Sequence, residues 1–342
     1  MGASTFEPTR LRVGRELVGL SQNQLATKVG LSPAAISQFE SGATRPSPET
    51  LDELGAALDM PVGFFVRPLA ETHDGFFRAL RRTSVTDRRR ARAVAHIAHD
   101  LANSAAAAGR FPSLDVPRIP VTALDTPIEG IEAIAQEVRR SWDLPRGPTG
   151  DVVQLLESHG VVVIRLPLDS VDVDAFSLPF PDHPVVVLGS DKADRARSRF
   201  DGTHELGHLV MHGEQIWGMK EVETQAHQFA AAFLMPANEI RDQLPTTVDW
   251  PQLFALKQRW QVSLAALLMR ARTLRRMNER TYLTAVKTLS ARGWRRREPV
   301  PLGAPEQPDL LMRFLATAEG RQARSYLPGS VVDGIVVAND VP

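Results

Sequence analysis

The chain has 342 residues, 43% hydrophobic and 23% charged, which supports a sizeable core and, at this length, two or three domains. It has no cysteine, so disulfides, thiolate metal sites and cysteine nucleophiles are excluded and any metal must be held by histidine and carboxylate. Lys+Arg 40 balances Asp+Glu 40, so nucleic-acid binding has to be argued from local charge; with no apolar run near ~20 residues and no basic-then-apolar start, the expected location is cytoplasmic with no membrane partner.

Residues 8–69 read as a cluster of short helices. Pro8 to Val18 sets Leu11, Arg15 and Val18 at helical spacing, with Leu17 alongside. Ser21 and Gln24 form a capping box ahead of Leu25, Ala26 and Val29, and Gly30 ends that helix. Ser32 caps the next helix, with Pro33 at its first position, Ile36 and Phe39 facing inward and Gly42 closing it. Ser47 and Pro48 open a further helix through Leu51, Leu54 and Leu58. Two short helices about a glycine turn, inside such a cluster, follow the helix-turn-helix plan.

The run from Leu20-Ser21-Gln22 through Val29-Gly30-Leu31-Ser32 to Gln38-Phe39-Glu40-Ser41-Gly42 resembles the phage-repressor-like (XRE) helix-turn-helix family. The resemblance implies phosphate contacts from Gln22 and Ser32, and base-edge contacts from Ala34, Ser37 and Gln38, with Arg45 joining the DNA-binding set. The partner it implies is double-stranded DNA. Yet the unit is not basic: Arg10, Arg12, Arg15, Lys28, Arg45 and Arg67 meet Glu7, Glu16, Glu40, Glu49, Asp52, Glu53 and Asp59. A single copy should bind weakly, so a homodimer on a palindromic operator is expected.

From Phe76 to Arg110 the text turns arginine-rich, with Arg78, Arg81, Arg82, Arg88, Arg89, Arg90, Arg92 and Arg110 against Asp87 and Asp100. Arg89 to Ala108 reads as one long helix with Val94, Ile97, Ala98 and Leu101 on its apolar side, a connector, and Phe111 to Pro120 as an exposed linker. Helices follow at 128–142 and 152–158, then buried strands at 161–164, 175–180 and 184–188, broken at Pro181-Asp182-His183. This small sheet is expected to lie against the next helix, which begins near Asp191.

That helix carries His204-Glu205-Leu206-Gly207-His208. Residues four apart share a face about 6 Å apart along the axis, so His204 and His208 can close on one cation while Glu205 reaches its water as general base. His212 shares the face, but 204 and 212 lie about 12 Å apart and cannot share a metal. A third ligand is expected from the helix running Glu221 to Leu234 and stopped by Pro236. Glu221, Thr224, Gln225 and Gln228 read as its solvated face; Glu223 shares the apolar stripe of Ala226, Ala230, Phe233 and Leu234, where a carboxylate needs a partner or a metal. His227, one turn on, either orients a ligand, replaces one, or is a plain packed histidine.

His204-Glu205-Leu206-Gly207-His208, followed by Glu223-Thr224-Gln225-Ala226-His227-Gln228-Phe229 and closed by Leu234-Met235-Pro236, resembles the ImmA/IrrE family of zinc metallopeptidases. The resemblance covers roughly residues 120–275. It implies a Zn²⁺ cofactor on His204, His208 and Glu223, with Glu205 as the catalytic base. His212 and His227 are the nearest candidates to support the ligands or the developing oxyanion.

Beyond Pro236, residues 249–274 and 279–293 read as helical, with Leu264, Leu267, Leu268 and Met269 buried. The interval 257–298 is the most basic of the chain and fits either a nucleic-acid or acidic-partner face or a solvated surface. A short helix around 310–318 and a hairpin turning at Asp333-Gly334 finish it.

The fold class expected is mainly α (α+β). It comprises an all-α helix-turn-helix domain at 1–69, a basic helical connector and linker at 70–118, a zincin-like α+β metallopeptidase domain with a small sheet at 119–275, and a basic helical C-terminal region at 276–342. The function expected is a DNA-binding transcriptional regulator with a zinc endopeptidase domain that cuts a protein, a helix-turn-helix repressor or itself, on a signal. Its rivals are a regulator whose zinc domain is a non-catalytic sensor, and an interaction module of toxin–antitoxin or phage type.

Overall fold

The computed structural model describes residues 6–72, 84–168, 175–191, 194–213 and 219–339. Arg78, Arg81 and Arg82 of the arginine-rich stretch lie outside the described residues.

In chain order the first helices are α1 (Pro8–Leu17), α2 (Gln22–Lys28), α3 (Pro33–Ser41) and α4 (Pro48–Leu58). Their boundaries are those written in the local sequence. Ser21 Oγ accepts from Gln24 N at 3.2 Å while Gln24 Oε1 accepts from Ser21 N at 2.8 Å, and Gly30 and Gly42 take left-handed φ of 66° and 75°. Next come α5 (Val85–Ala107), α6 (Ile128–Ser141), α7 (Val152–Ser158), β1 (Val162–Leu166), β2 (Ala175–Leu178) and β3 (Val185–Gly189). Then follow α8 (Arg195–Met211), α9 (Lys220–Leu234), α10 (Ala237–Ile240), α11 (Trp250–Trp260), α12 (Leu264–Thr273), α13 (Glu279–Ala291), α14 (Leu310–Leu315), α15 (Ala318–Arg324) and α16 (Gly329–Asn339). Among the described residues the fold is mainly helical with one small sheet.

The chain divides into two compact units, one of residues 1–114, 157–191 and 308–341, the other of 115–156 and 192–307. In the first, α1–α4 enclose Leu11, Leu25, Ile36, Leu54 and Phe64. The sheet has strand order β1-β3-β2, with β1 parallel to β3 (Val162 opposite Val185) and β2 antiparallel to it (Ala175 opposite Leu188). The sheet groups with α5 and α16, whose Ile97, Ala98, Leu101, Val332 and Ile335 join the same apolar core as Val162, Ile164, Val185 and Val187. Gly160, just before β1, has φ of 80°, and a Cβ there would meet the Ser113 carbonyl at 2.6 Å.

Two expectations fail here. Asp333-Gly334 is no hairpin turn but lies inside α16, because Val332 and Ile335 are buried and hold the segment helical. The helical reading of 249–274 holds as two helices, divided at Gln261, at φ of 54°, with Ser263 capping the second. Met269 is 44% exposed, on the opposite side of α12 from the buried Leu264, Leu267 and Leu268.

In the second unit α9 packs on α6 and α8. Residues 111–120 form no helix or strand, but they are not a loose tether. The Ile119 and Val121 amides donate to the carbonyls of Val210 and Met211, both at 2.9 Å. Part of the basic interval 257–298 is internal: Lys257 and Arg270 are buried, on Glu298 at 2.6 Å and on Glu132. Among the described residues no helix is long and apolar enough to cross a membrane.

Candidate metal centre

Helix α8 is buried from Gly202 to Met211, and two features hold it. Arg199, 2% exposed, ion-pairs with Glu306 and donates to the Gly150 carbonyl at 2.8 Å and the Thr149 carbonyl at 3.0 Å. Glu306 in turn accepts from the Val152 amide at 2.8 Å. A buried guanidinium is tolerable only when paired with a carboxylate and given acceptors in this way, here at both terminal nitrogens. Further along, Gly207 lets α9 come close: a Cβ there would stand 2.9 Å from Phe229 Cδ1.

This close approach brings three donors together. His204 Nε2 lies 3.3 Å from Glu223 Oε2, His208 Nε2 lies 3.9 Å from Glu223 Oε1, and the two Nε2 atoms are 3.1 Å apart. Glu223 is half-buried, less enclosed than its apolar stripe implied. A tetrahedral zinc with bonds of about 2.0–2.2 Å places its ligand atoms about 3.3–3.6 Å from each other. The observed triangle brackets that spacing, and its two imidazoles and one carboxylate are a hydrolytic metal's donor set. The residues fit a metal ion.

The tautomer of His208 also fits. Gln225 Nε2 donates to the carbonyls of Ala123 at 3.0 Å and Leu124 at 3.2 Å, which leaves Gln225 Oε1 to accept from His212 Nε2 at 3.0 Å. A neutral His212 then accepts at Nδ1 from His208 Nδ1, 2.9 Å away, so His208 presents Nε2 as a lone pair. Burial keeps both His212 and His208 below the usual histidine pKa, with neighbouring His204 adding to the effect. For His204 burial works the same way, but its hydrogen bond to Glu223 and the charges of Glu205 and Glu223 outweigh it and raise the pKa. Glu205 is 4% exposed.

His227 stays outside the triangle. Its Nδ1 donates to the Glu223 carbonyl at 2.8 Å and its ring stands edge-on to His204, centroids 4.5 Å apart. Gln225, read from the sequence as solvated, is 3% exposed and orients His212. Its partners lie about a hundred residues earlier, at |i−j| of 102 and 101, so no local signal could reveal them. His183 is buried, with Nδ1 3.3 Å from the Gly160 carbonyl, a packing role within the first unit.

At the other end of the chain, Ala34, Ser37 and Gln38 form an exposed row on α3, and Arg45 is exposed in the loop after it. Ser32 Oγ caps α3 by accepting from Ala35 N at 3.2 Å. Gln22 Nε2 donates to Glu40 Oε2 at 2.8 Å. Arg10 and Arg15 are buried, paired with Asp100 and Glu40, so they add nothing to the outer charge.

Comparison with known families agrees with both ends. Residues 11–65 match the helix-turn-helix family model, and residues 156–272 match that of the IrrE N-terminal-like domain. The second match takes in the sheet as well as α8 and α9. No curated protein matches the chain.

Proposed function

We propose that this chain, in which a helix-turn-helix domain precedes an IrrE N-terminal-like domain, is a DNA-binding regulator that also cleaves a protein in a zinc-dependent, signal-controlled way. The observation that carries the reading is the convergence of His204 Nε2, His208 Nε2 and the Glu223 carboxylate, all within 4.8 Å of one another. These three are the proposed ligands. When bound, zinc supplies Lewis acidity to the scissile carbonyl and the attacking water. Glu205, the residue after the first ligand, accepts the proton of that water and passes it to the departing amine. His208 is held in the ligating tautomer by His212 and Gln225.

The favoured substrate is another DNA-bound regulator rather than the chain's own residues 111–120. A protease needs an extended, detachable segment, and Ile119 and Val121 are already hydrogen-bonded along the last turn of α8. Purified protein should contain about one zinc per chain. His208→Ala and Glu223→Ala should release it, whereas Glu205→Gln should keep it and lose metal-dependent cleavage of a partner repressor, followed by intact mass. If Glu205→Gln and wild type leave every partner whole and regulate one promoter equally, the zinc domain is a sensor and the enzyme reading fails.

A further inference from the structure

Helix α13 and the turn after it carry charge that the metal centre does not use. Arg280, Lys287, Arg292, Arg295, Arg296 and Arg297 are all exposed, in the same unit as the metal centre. Residues 275–298 contain two carboxylates, and both are taken by other groups. Glu279 pairs with Arg272 at 2.7 Å, while Glu298 pairs with Lys257 at 2.6 Å and accepts from the Leu264 amide at 3.0 Å. Among the described residues none of the six cations has an ion pair. The adjoining start of α11 brings one more carboxylate, Asp249, whose Oδ1 caps that helix by accepting from Gln252 N at 3.0 Å. The local field is therefore strongly positive, although the whole chain is neutral.

The turn is held in place. Gly293, at φ of 69°, ends α13, the Trp294 amide donates to the Leu289 carbonyl at 2.9 Å, and the Arg296 amide donates to the Gly293 carbonyl at 3.1 Å. The Trp294 ring meets Trp250 and Phe254, with centroids 5.1 and 5.6 Å away. Arg292 lies over that ring at 4.8 Å, and Arg295 Nε donates to Ser290 Oγ at 2.8 Å. Cations fixed in this way lose little freedom when a partner arrives. Along α13, Arg280, Leu283, Thr284 and Lys287 are exposed and spaced three and four apart, so they share one face. Leu283, 47% exposed, stands between the two cations, while Ala285 and Leu289 are buried on the other side.

We infer that this face docks an acidic protein segment with an apolar residue among its carboxylates. The carboxylates meet Arg280, Lys287 and the arginines of the turn, and the apolar residue packs on Leu283. Two observations favour a protein over a nucleic acid. A phosphate backbone has no use for a leucine at the centre of the face, whereas a protein segment gains from covering it. An unpaired base would need an open aromatic face, but Trp294 is covered by Arg292 and flanked by Trp250 and Phe254. The inference names the class of protein this unit takes, whether it is cut or only held, so it stands apart from the peptidase reading.

The test uses the full chain at about 0.15 M salt, where loose surface attraction is screened. The probe is a fluorescein-labelled peptide of Glu-Glu-Leu repeats, compared by anisotropy with Glu-Glu-Ala repeats of the same length and with a random-sequence duplex. Saturable binding of the Glu-Glu-Leu peptide is expected, tighter than that of either comparison. Arg295→Gln/Arg296→Gln should weaken it about three- to tenfold, as loss of two exposed charge pairs does. Leu283→Ala should weaken it about threefold and remove its advantage over the Glu-Glu-Ala peptide. If the arginine variant fails to fold, Lys287→Gln takes its place. Intact mass of the peptide afterwards reports cleavage separately, so an uncut but bound peptide counts against the peptidase reading and for this one. The inference is overturned if the peptide does not bind, or if the arginine variant binds it as well as wild type does. Equal affinity for both peptides, unmoved by Leu283→Ala, also overturns it, since that is charge attraction alone. So does a duplex that binds more tightly than the peptide and loses that affinity in the arginine variant, which makes the face one for nucleic acid.

Discussion

Replacing Gln225 with alanine removes the acceptor that fixes the proton on His212 Nε2, and through His212 the tautomer of His208. The carboxylate and both ligand imidazoles stay in place, so a purely structural role would leave metal affinity alone. The relay requires it to fall about 10–100-fold, as losses of ligand-orienting partners do. Competition with a chromogenic chelator measures this, and Gln225→Glu, which keeps an acceptor, should recover part of it. His227→Ala, by contrast, should retain one zinc per chain, since that ring is bound to the Glu223 carbonyl outside the triangle. A second residue-level prediction concerns Glu157, 3% exposed, whose carboxyl burial pushes up to about 8 even though the Asp309 and Leu310 amides donate to it at 3.2 Å. A carboxyl with its folded pKa raised binds more protons folded than unfolded. Its contribution is therefore full below the unfolded value of 4.5 and is lost as pH rises towards 8. The unfolding free energy from urea titrations should fall over that window by an amount on the order of a few kcal/mol, and Glu157→Gln should flatten the slope. A slope identical in Glu157→Gln would assign the pH dependence elsewhere.

Between elements, the tightest constraint is the contact of α8 with α9 at Gly207. A methyl group there would meet Phe229 Cδ1 at 2.9 Å and Cβ at 3.2 Å, so Gly207→Ala has to push α9, and Glu223 with it, away from the two histidines. Overpacking of this kind costs about 1–3 kcal/mol. A lowered melting temperature and weakened zinc binding are expected together, with partial recovery in Gly207→Ala/Phe229→Leu; unchanged zinc affinity would mean that the helices have slack. The motif residues of this contact were legible because helical periodicity alone brings His204, Glu205 and His208 together, and an isolated carboxylate on an apolar stripe marked Glu223. The caps of α2, α3 and α4 were legible for the same reason: Ser21, Ser32 and Ser47 act within three residues of themselves. What escaped notice acts at a distance. Glu306, the counter-ion of Arg199, is 107 residues away, and nothing local marks a lone glutamate in a proline-rich tail as internal. At Asp333-Gly334 the turn signal was real but weak, and burial of Val332 and Ile335 overrode it. The arginine counts misled for a related reason, since Arg10, Arg15, Arg199 and Arg270 are interior groups rather than surface charge.

At the scale of the whole molecule, that last point bears on how the protein can hold DNA. With Arg10 on Asp100 and Arg15 on Glu40, the outward cations of the helix-turn-helix segment reduce to Arg12, Lys28, Arg45 and Arg67, and Arg67 lies over the Tyr326 ring at 5.2 Å. Neutralised phosphates supply most non-specific affinity, and the steepness of the salt dependence counts them. One copy should therefore bind weakly with a shallow salt slope. The expectation is that useful affinity comes from symmetry: two copies on a near-palindromic site, with half-site centres about one helical turn, roughly 34 Å, apart. Specificity is expected from the exposed row of α3, where Gln38 can bond an adenine edge through its amide and Ala34 can pack on a thymine methyl. Gln38→Ala should cost about 1–3 kcal/mol and relax one base position in each half-site. Gln22 differs in kind, because its amide is tied to Glu40 and so to Arg15; Gln22→Ala should weaken every sequence alike and leave the base preference intact. Selection of bound sequences from a random pool, followed by titration on the winner and on a scrambled duplex, separates the two effects. Full operator affinity in a Ser37→Ala/Gln38→Ala protein would remove α3 as the reader. A single-copy footprint with a steep salt slope would remove the argument from symmetry.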